Sequence, residues 1–251
     1  PSGDGTPYSR QGSNQLYTSL KNVLGDNKLS DMQTTVFVPA LNISITQPTY
    51  FSNYDGHPVF QGKEELARNV AMASSAAPIF LPYVEFGDKI MVDGELVTPR
   101  YLDGGLFQND PSNLAMTLAK MQEPQFERIC VLNIGTGGAH DHRFSAPLIS
   151  NPLDITDTFG LMKSLMVAET AKTTATDLYL RSQLTLEKLH YYTFNPVLDA
   201  TDLDISTDAY LNGGGDGSSS ENPVKGLRQI ADEWYDQEQN EITNFIGHLT
   251  A

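Results

Sequence analysis

Short apolar runs that alternate with amphipathic helix patterns constrain the fold of this 251-residue chain most strongly. Residues 34–45, 128–138 and 189–196 are rich in β-branched and aromatic side chains, which is typical of buried strands. Apolar residues recur at helical spacing between and beyond these runs, over residues 13–24, 63–74, 112–119, 155–182 and 223–251. The chain has no internal repeat, so the alternation predicts a layered α/β domain.

Local signals refine this plan. Residues 1–12 are rich in Gly, Pro, Ser and Asp and are predicted to form a loop. Ser13 is the predicted N-cap of the first helix, and Gly25 is its predicted stop signal. Pro48 and the polar residues 52–58 are predicted to form a loop after the first strand.

Charge and composition exclude several classes of partner. The chain has 31 acidic and 16 basic side chains, giving a net charge of −15. Nucleic acid is therefore excluded as a partner, because phosphate neutralisation needs clustered Lys and Arg, and an anionic bilayer would not attract the chain. The single cysteine, Cys130, cannot form an internal disulfide. No run approaches about 18 consecutive apolar residues, and no signal-peptide pattern is present. A cytoplasmic or membrane-peripheral location is expected, with secretion into a host cell left open.

Asp103 is the strongest candidate for chemistry. It directly follows the apolar pair Tyr101-Leu102 and precedes two glycines and a loop that leads into a helix. Open α/β sheets place functional groups at such strand ends. A carboxylate in this turn could orient or deprotonate a serine hydroxyl. It could equally cap the turn or the following helix, and spacing alone favours the cap because Asp-Gly pairs are common in turns.

The segment YLDGGLFQNDPS at residues 101–112 resembles the aspartate motif of patatin-like phospholipases. Four other segments resemble further parts of that family in the same order: ITQPTYFSNYD at 45–55, AMASSAAPIFLPYV at 71–84, VLNIGTGG at 131–138 and YLRSQ at 179–183. The collinear resemblance covers about residues 12–200. By this resemblance the chain is identified as a member of the patatin-like family.

The resemblance implies a three-layer α/β sandwich with a mostly parallel central sheet, incomplete at its N-terminal side. It also implies cleavage of fatty acyl esters of glycerolipids or phospholipids by a Ser-Asp dyad, without a cofactor. Asp103 would be the aspartate of the dyad, Gly104 and Gly105 would shape its turn, and Asn109 would lie in the active-site loop. The family's serine lies in a G-x-S-x-G segment, which the 251 residues lack. The serine is expected before Pro1, in the same polypeptide or on a separate chain, so the chain alone would be inactive.

The resemblance also predicts the domain organisation. Residues 1–200 would be the C-terminal portion of the catalytic domain, residues 201–222 an acidic Gly/Ser-rich loop, and residues 223–251 a C-terminal amphipathic helix. That helix would pack on the core or cover the active-site mouth. The alternative is a non-catalytic scaffold that binds lipid or a protein partner. One departure from the family pattern is Gln108-Asn109-Asp110, where many relatives have two asparagines.

Other candidate residues have simpler interpretations. Ser74 and Ser75 lack the glycine elbow and are predicted to allow close helix packing. Asp93, in a second Asp-Gly pair, is predicted to lie at a hairpin tip. The glycines of residues 135–138 lack a complete phosphate-binding or dinucleotide pattern and are predicted to form a strand-end turn near the active-site rim.

Metal binding is also disfavoured. His140 and His142 are spaced as H-x-H in a polar loop without a cysteine partner, and solvated loop histidines are the simpler interpretation. The acidic run at 199–208 lacks the glycine and closing glutamate of a calcium loop. No metal site is therefore predicted.

Overall fold

The computed structural model describes residues 7–78, 81–122, 128–135, 138–139, 189–195, 197–198 and 227–250. These residues divide into two compact units, one comprising the described residues up to Ala115 and the other those from Met116 onward. Each unit combines helices and strands, so the predicted α/β class is confirmed.

The first unit contains a five-stranded sheet in the order β3-β2-β1-β7-β4, a separate β5-β6 hairpin and two helices. Its elements are α1 (Pro7–Leu24), β1 (Phe37–Asn42), β2 (Gln47–Ser52), β3 (Phe60–Gln61), α2 (Ala67–Ser74), β4 (Val84–Glu85), β5 (Ile90–Val92), β6 (Glu95–Val97) and β7 (Arg100–Asp103). Short 3₁₀ turns cover Leu29–Asp31 and Gly104–Leu106, and α3 (Ser112–Gln122) begins in this unit.

Helix α2 and one face of this sheet form the core of the first unit. Apolar side chains of both elements are buried together, and the burial of apolar surface is the main force that holds the layers in contact. The cluster consists of Ala40, Phe51, Ala67, Val70, Ala73 and Tyr101, joined by Leu29 of the first 3₁₀ turn and Phe86 just after β4. The central strand β1 and the end of β7 are therefore held against the helix.

The second unit contains β8 (Ile129–Ile134), β9 (Gly138–Ala139), β10 (Leu189–Phe194), β11 (Val197–Leu198), α4 (Leu227–Gln237) and α5 (Gln239–Thr250). Strands β8 and β10 are parallel, as are β9 and β11. Tyr191 of β10 packs with Met116 of α3, whereas Tyr192 and Phe194 contact aromatic residues of α4 and α5. Because neighbouring strand residues point to opposite faces, helices cover both faces of this sheet.

The strand pairing is mixed, whereas a mostly parallel sheet was expected. The pairs β2-β3, β8-β10 and β9-β11 are parallel, but β1 is antiparallel to both β2 and β7, and β4 is antiparallel to β7. A turn of only four residues, 43–46, joins β1 to β2. Such a short connection can join only antiparallel neighbours, because a parallel pair needs a long crossover.

Two local predictions need correction. The first helix begins at Pro7 rather than at Ser13, since a proline is well tolerated in the first turn of a helix. Pro48 lies in β2 rather than in a loop. Strand β3 pairs with β2 only at Tyr50 and Phe51. The lack of an N–H at Pro48 therefore removes no hydrogen bond between β2 and β3.

Other local predictions are confirmed or refined. The first helix ends before Gly25, whose φ is +58° and whose N–H donates to the Lys21 carbonyl. The predicted helix over 63–74 begins at Ala67, and the final helix is divided into α4 and α5 at Glu238. The predicted helix over 155–182, the loop over 201–222 and the segment 179–183 lie outside the described residues. Within the described part, no helix has the length and apolar character needed to cross a bilayer.

Candidate active site at the end of strand β7

Asp103 is the last residue of β7, and its backbone is held from two sides. It lies opposite Ala40 of the central strand β1. Its N–H donates to the carbonyl oxygen of Ala76, just beyond α2, over 3.1 Å. The position of Asp103 at a strand end was predicted from the sequence, but its attachment to the end of α2 was not.

The Asp103 carboxylate caps the turn that follows it. Oδ1 accepts a 2.7 Å hydrogen bond from the Gly105 N–H, and Asp103 is the N-cap of the 3₁₀ turn Gly104–Leu106. The capping interpretation is therefore correct. This bond engages Oδ1 of the carboxylate.

Burial raises the pKa of Asp103, and the Gly105 N–H offsets part of this rise. An aromatic cluster lies on the same side of β7 through Tyr101, whose ring is 5.1 Å from that of Phe51 and 4.9 Å from that of Phe86. Burial, with a smaller contribution from the Glu65 charge, raises the pKa of Tyr101 to about 12. A carboxylate with a raised pKa is a better proton acceptor than an ordinary aspartate once it is ionised.

Gly104 is required by close packing. A Cβ at this position would lie 2.2 Å from the Pro39 carbonyl oxygen, which is part of the β1 backbone. At Gly105 a Cβ would be 3.1 Å from Oδ1 of both Asp103 and Asn109. The two glycines therefore allow the turn to approach β1 and allow polar side chains to approach the turn.

The residues of the loop that follows the turn have different roles. Asn109 is exposed, with its Oδ1 close to Gly105 as just described. Asp110 is buried, and its Oδ1 accepts a 2.9 Å hydrogen bond from the Ser112 N–H at the start of α3. An acidic side chain at a helix N-terminus is stabilised by the helix dipole. The departure from the family pattern at Asp110 therefore gives α3 a capping carboxylate.

Ser74 and Ser75 both donate to backbone carbonyls. Ser74 Oγ donates to the Pro39 oxygen over 2.8 Å, whereas Ser75 Oγ donates to the Ala71 oxygen of its own helix over 2.6 Å. Both bonds fit the predicted structural role. Sequence reasoning missed the link from Ser74 to Pro39, since the two residues are 35 positions apart and no spacing rule connects them.

The other candidates take the positions expected of turns. Asp93 has φ +48° and Gly94 has φ +85° at the β5-β6 turn, which confirms the predicted hairpin tip. The Gly135 N–H donates to the Phe194 carbonyl, which extends the β8-β10 pairing by one residue, whereas residues 136 and 137 of the predicted strand-end turn lie outside the described part. His140 and His142 lie outside the described residues. Among the residues that are described, no group of three or more His, Cys, Asp or Glu side chains is arranged to hold a metal ion.

The fold and the site together define an α/β protein with a partly buried carboxylate in a glycine turn at a strand end. The family model of patatin-like phospholipases matches residues 11–116. The matched range contains Asp103, the central strand β1 and helix α2. The family match therefore covers the residues that build the site.

Curated relatives give the same result. Patatin-like protein 4 of Arabidopsis thaliana is 31% identical over 138 residues, covering 49% of this chain and 33% of the relative. Patatin-like protein 1 of Oryza sativa subsp. indica is 29% identical, covering 50% of this chain and 33% of the relative. Patatin-like protein 2 of Arabidopsis thaliana is 29% identical, covering 61% and 43%. The chain thus aligns with less than half the length of each of these relatives.

The chain is therefore similar to patatin-like phospholipases over the residues that hold Asp103. The resemblance predicted from the sequence is confirmed at that level.

Proposed function

We propose that this chain supplies the aspartate of a Ser-Asp dyad in a lipid acyl hydrolase, and that the serine belongs to polypeptide outside the 251 residues. The observation that carries the proposal is the Asp103 carboxylate, fixed at a strand end with a raised pKa and one oxygen held by a backbone N–H. The family match over the residues that hold this carboxylate adds support. The proposed substrates are the fatty acyl esters of glycerolipids or phospholipids.

In the proposed reaction the Gly105 N–H keeps Oδ1 in place while Oδ2 accepts the proton of the serine hydroxyl. The serine oxygen attacks the acyl carbonyl, and the proton passes from Asp103 to the departing alcohol. Water then attacks the acyl-enzyme and gives a proton to Asp103, which returns it to the serine oxygen as the bond to the acyl group breaks and the fatty acid leaves. No cofactor takes part in these steps.

The net charge of −15 bears on the lipid surface that the protein would meet. An acidic protein is repelled by anionic headgroups, so neutral or zwitterionic lipid is the better proposed substrate. The serine-bearing segment is the one protein partner that the mechanism requires, whether it precedes this chain or forms a separate chain. The proposed setting is peripheral contact with lipid, without a spanning helix.

The test compares two aspartates that both precede a glycine, in the protein that joins this chain to its G-x-S-x-G segment. Asp103→Asn keeps an oxygen that can accept the Gly105 N–H but removes the base, so kcat for ester hydrolysis should fall about 10²- to 10⁴-fold. Asp93→Asn at the hairpin tip should leave kcat unchanged, because asparagine tolerates the positive φ found there. Thermal unfolding of both variants checks that the fold is kept.

A non-catalytic scaffold that binds lipid or protein is the second candidate. The cap on Gly105 favours it, because that bond alone gives Asp103 a structural reason to be present. Full hydrolytic activity of the Asp103→Asn protein, with unchanged stability, would exclude the aspartate from catalysis, whereas a lack of hydrolysis by the parent joined protein would favour the scaffold. The absence of a reactive serine from the joined protein would have the same consequence.

A further inference from the structure

We infer that Ser74 is a positioning residue for Asp103 and that it acts through the carbonyl oxygen of Pro39. Ser74 touches no reacting atom in this account, and its effect on catalysis presupposes the proposed function. Its effect on the position of the Asp103 carboxylate does not depend on the proposed function. That effect can be measured in a protein without hydrolytic activity.

The first link joins helix α2 to strand β1. Pro39 lies one residue beyond the last β1-β7 pair, which is formed by Ala40 and Asp103. Its carbonyl oxygen accepts the Ser74 hydroxyl over 2.8 Å and is also the atom that a side chain at position 104 would strike. The same oxygen is therefore bonded by the end of α2 and closely approached by the turn after Asp103.

The second link joins the end of α2 to β7. Ala76, two residues after Ser74, accepts the Asp103 N–H. Ala76 is 1% exposed and Ala73 is fully buried, so this stretch is closely surrounded by protein. The end of α2, the edge of β1 and the end of β7 thus form a closed set of contacts, and Ser74 supplies the side-chain hydrogen bond in it.

Removal of the Ser74 hydroxyl takes away that bond and leaves the partly buried Pro39 carbonyl without its side-chain donor. The loss of this donor lowers the free energy of unfolding. The end of α2 can then move relative to β1, and Asp103 moves with it through Ala76. Ser75 offers a matched comparison, because it is exposed and its hydroxyl bonds Ala71 within its own helix. The two neighbouring serines therefore differ in whether they reach β1.

The first experiment measures the Asp103 carboxyl pKa by carbon-detected NMR in this chain. Ser74→Ala should admit water around the carboxylate and lower its pKa towards the ordinary value, whereas Ser75→Ala should leave it unchanged. Ser74→Thr keeps a hydroxyl and should titrate like the parent chain. If Ser74→Ala does not fold, Ser74→Cys, which keeps the volume but donates weakly, is compared with Ser74→Thr.

The second experiment measures ester hydrolysis in the protein joined to its serine segment. Ser74→Ala should lower kcat by about 10-fold or more while KM stays nearly constant, since misplacement of a catalytic group by 1 Å can cost about 10²-fold. The acid limb of its pH-rate profile should move to lower pH. Ser74→Thr should recover most of kcat, and Ser75→Ala should match the parent protein.

Three outcomes separate the possibilities. Equal Asp103 titration in Ser74→Ala and Ser75→Ala, or in the Thr and Cys variants if Ala does not fold, would overturn the positioning role. Labelling of Ser74 itself by a fluorophosphonate would also overturn it, because Ser74 would then be a nucleophile. A shifted Asp103 pKa in Ser74→Ala, together with full hydrolysis by Asp103→Asn, would retain the positioning role and reject the proposed function.

Discussion

At the scale of single residues, Gly104 should be among the least replaceable positions in the chain. An alanine Cβ would lie 2.2 Å from a backbone oxygen of β1, so Gly104→Ala should destabilise the protein by about 2–3 kcal/mol through overpacking. Gly247→Ala is the matched control, because its Cβ would meet nothing within 4 Å in α5. That substitution should stabilise the protein by about 0.5–1 kcal/mol. Urea unfolding measures both, and equal stability of the two variants would contradict the packing account.

Asp103 should also have a recognisable effect on stability as the pH changes. Its pKa is raised on folding, so the folded state binds more protons than the unfolded state between the ordinary aspartate pKa and the raised one. The free energy of unfolding should therefore fall as the pH rises through that window, the reverse of the usual behaviour of a paired aspartate. Asp103→Asn should remove this component, as measured by urea unfolding at a series of pH values. A component of unchanged size in the variant would assign it to another group.

Residue-scale prediction succeeded where the signal was local. Asp103 at its strand end, the Asp93 hairpin tip and the Gly25 helix stop follow from neighbouring residues and turn chemistry. The contacts of Ser74 and Gly104 with Pro39 join segments far apart in the sequence. Their partners depend on which strands pair, and a single sequence does not specify that pairing.

At the scale of elements, two stacked histidines connect α5 to β10. The rings of His190 and His248 are 3.8 Å apart at their centroids and 20° from parallel. Tyr192 and Phe245 pack beside them. Burial, the neighbouring His248 and Arg128 lower the pKa of His190, so protonation opposes this contact.

Acid should therefore release α5 from β10. The His190 pKa is depressed on folding, so the stability it contributes is present above the unfolded pKa of about 6.5 and is lost as the pH falls below that value. Trp234, the only tryptophan, lies 5.4 Å from Phe194, so its fluorescence reports on this face of β10. His190→Phe keeps a ring that can stack and removes the titrating group, so it should abolish the transition, whereas His57→Gln, at an exposed site in the first unit, should not. A transition of unchanged size in His190→Phe would assign it to another group.

Element-scale prediction succeeded for long periodic segments. The spacing of apolar residues located helices and strands in both units, but it did not fix the strand direction around β1 or the start of α1. The four-residue turn between β1 and β2 decides that direction. The sequence did not predict this turn, because Pro48 in β2 was interpreted as a loop residue.

At the scale of the whole molecule, the central sheet of the first unit has two unlike faces. Side chains of β1 and β2 that point to one face pack on α2, whereas Phe37 and Tyr50 on the other face stack on each other and remain partly exposed within the described residues. The sequence predicts β1 to be buried on both faces. That expectation stays a prediction.

The matched length of the relatives also bears on function. The chain aligns with 33% of the length of its 31% identical relative, so the serine, the substrate and the lipid specificity belong to the proposed function. Asp103 is the part of the proposed chemistry that this chain does contain. The proposed function therefore depends on whether Asp103 activates a serine.

The most direct test of that claim is the rate at which a fluorophosphonate labels the G-x-S-x-G serine in the joined protein, because labelling reports activation of the hydroxyl without requiring lipid. The parent protein should be labelled at a rate that rises with pH through the Asp103 pKa. Asp103→Asn should be labelled about 10²-fold or more slowly, with no such rise. Equal labelling rates and the same pH dependence in the two proteins would show that Asp103 does not activate the serine.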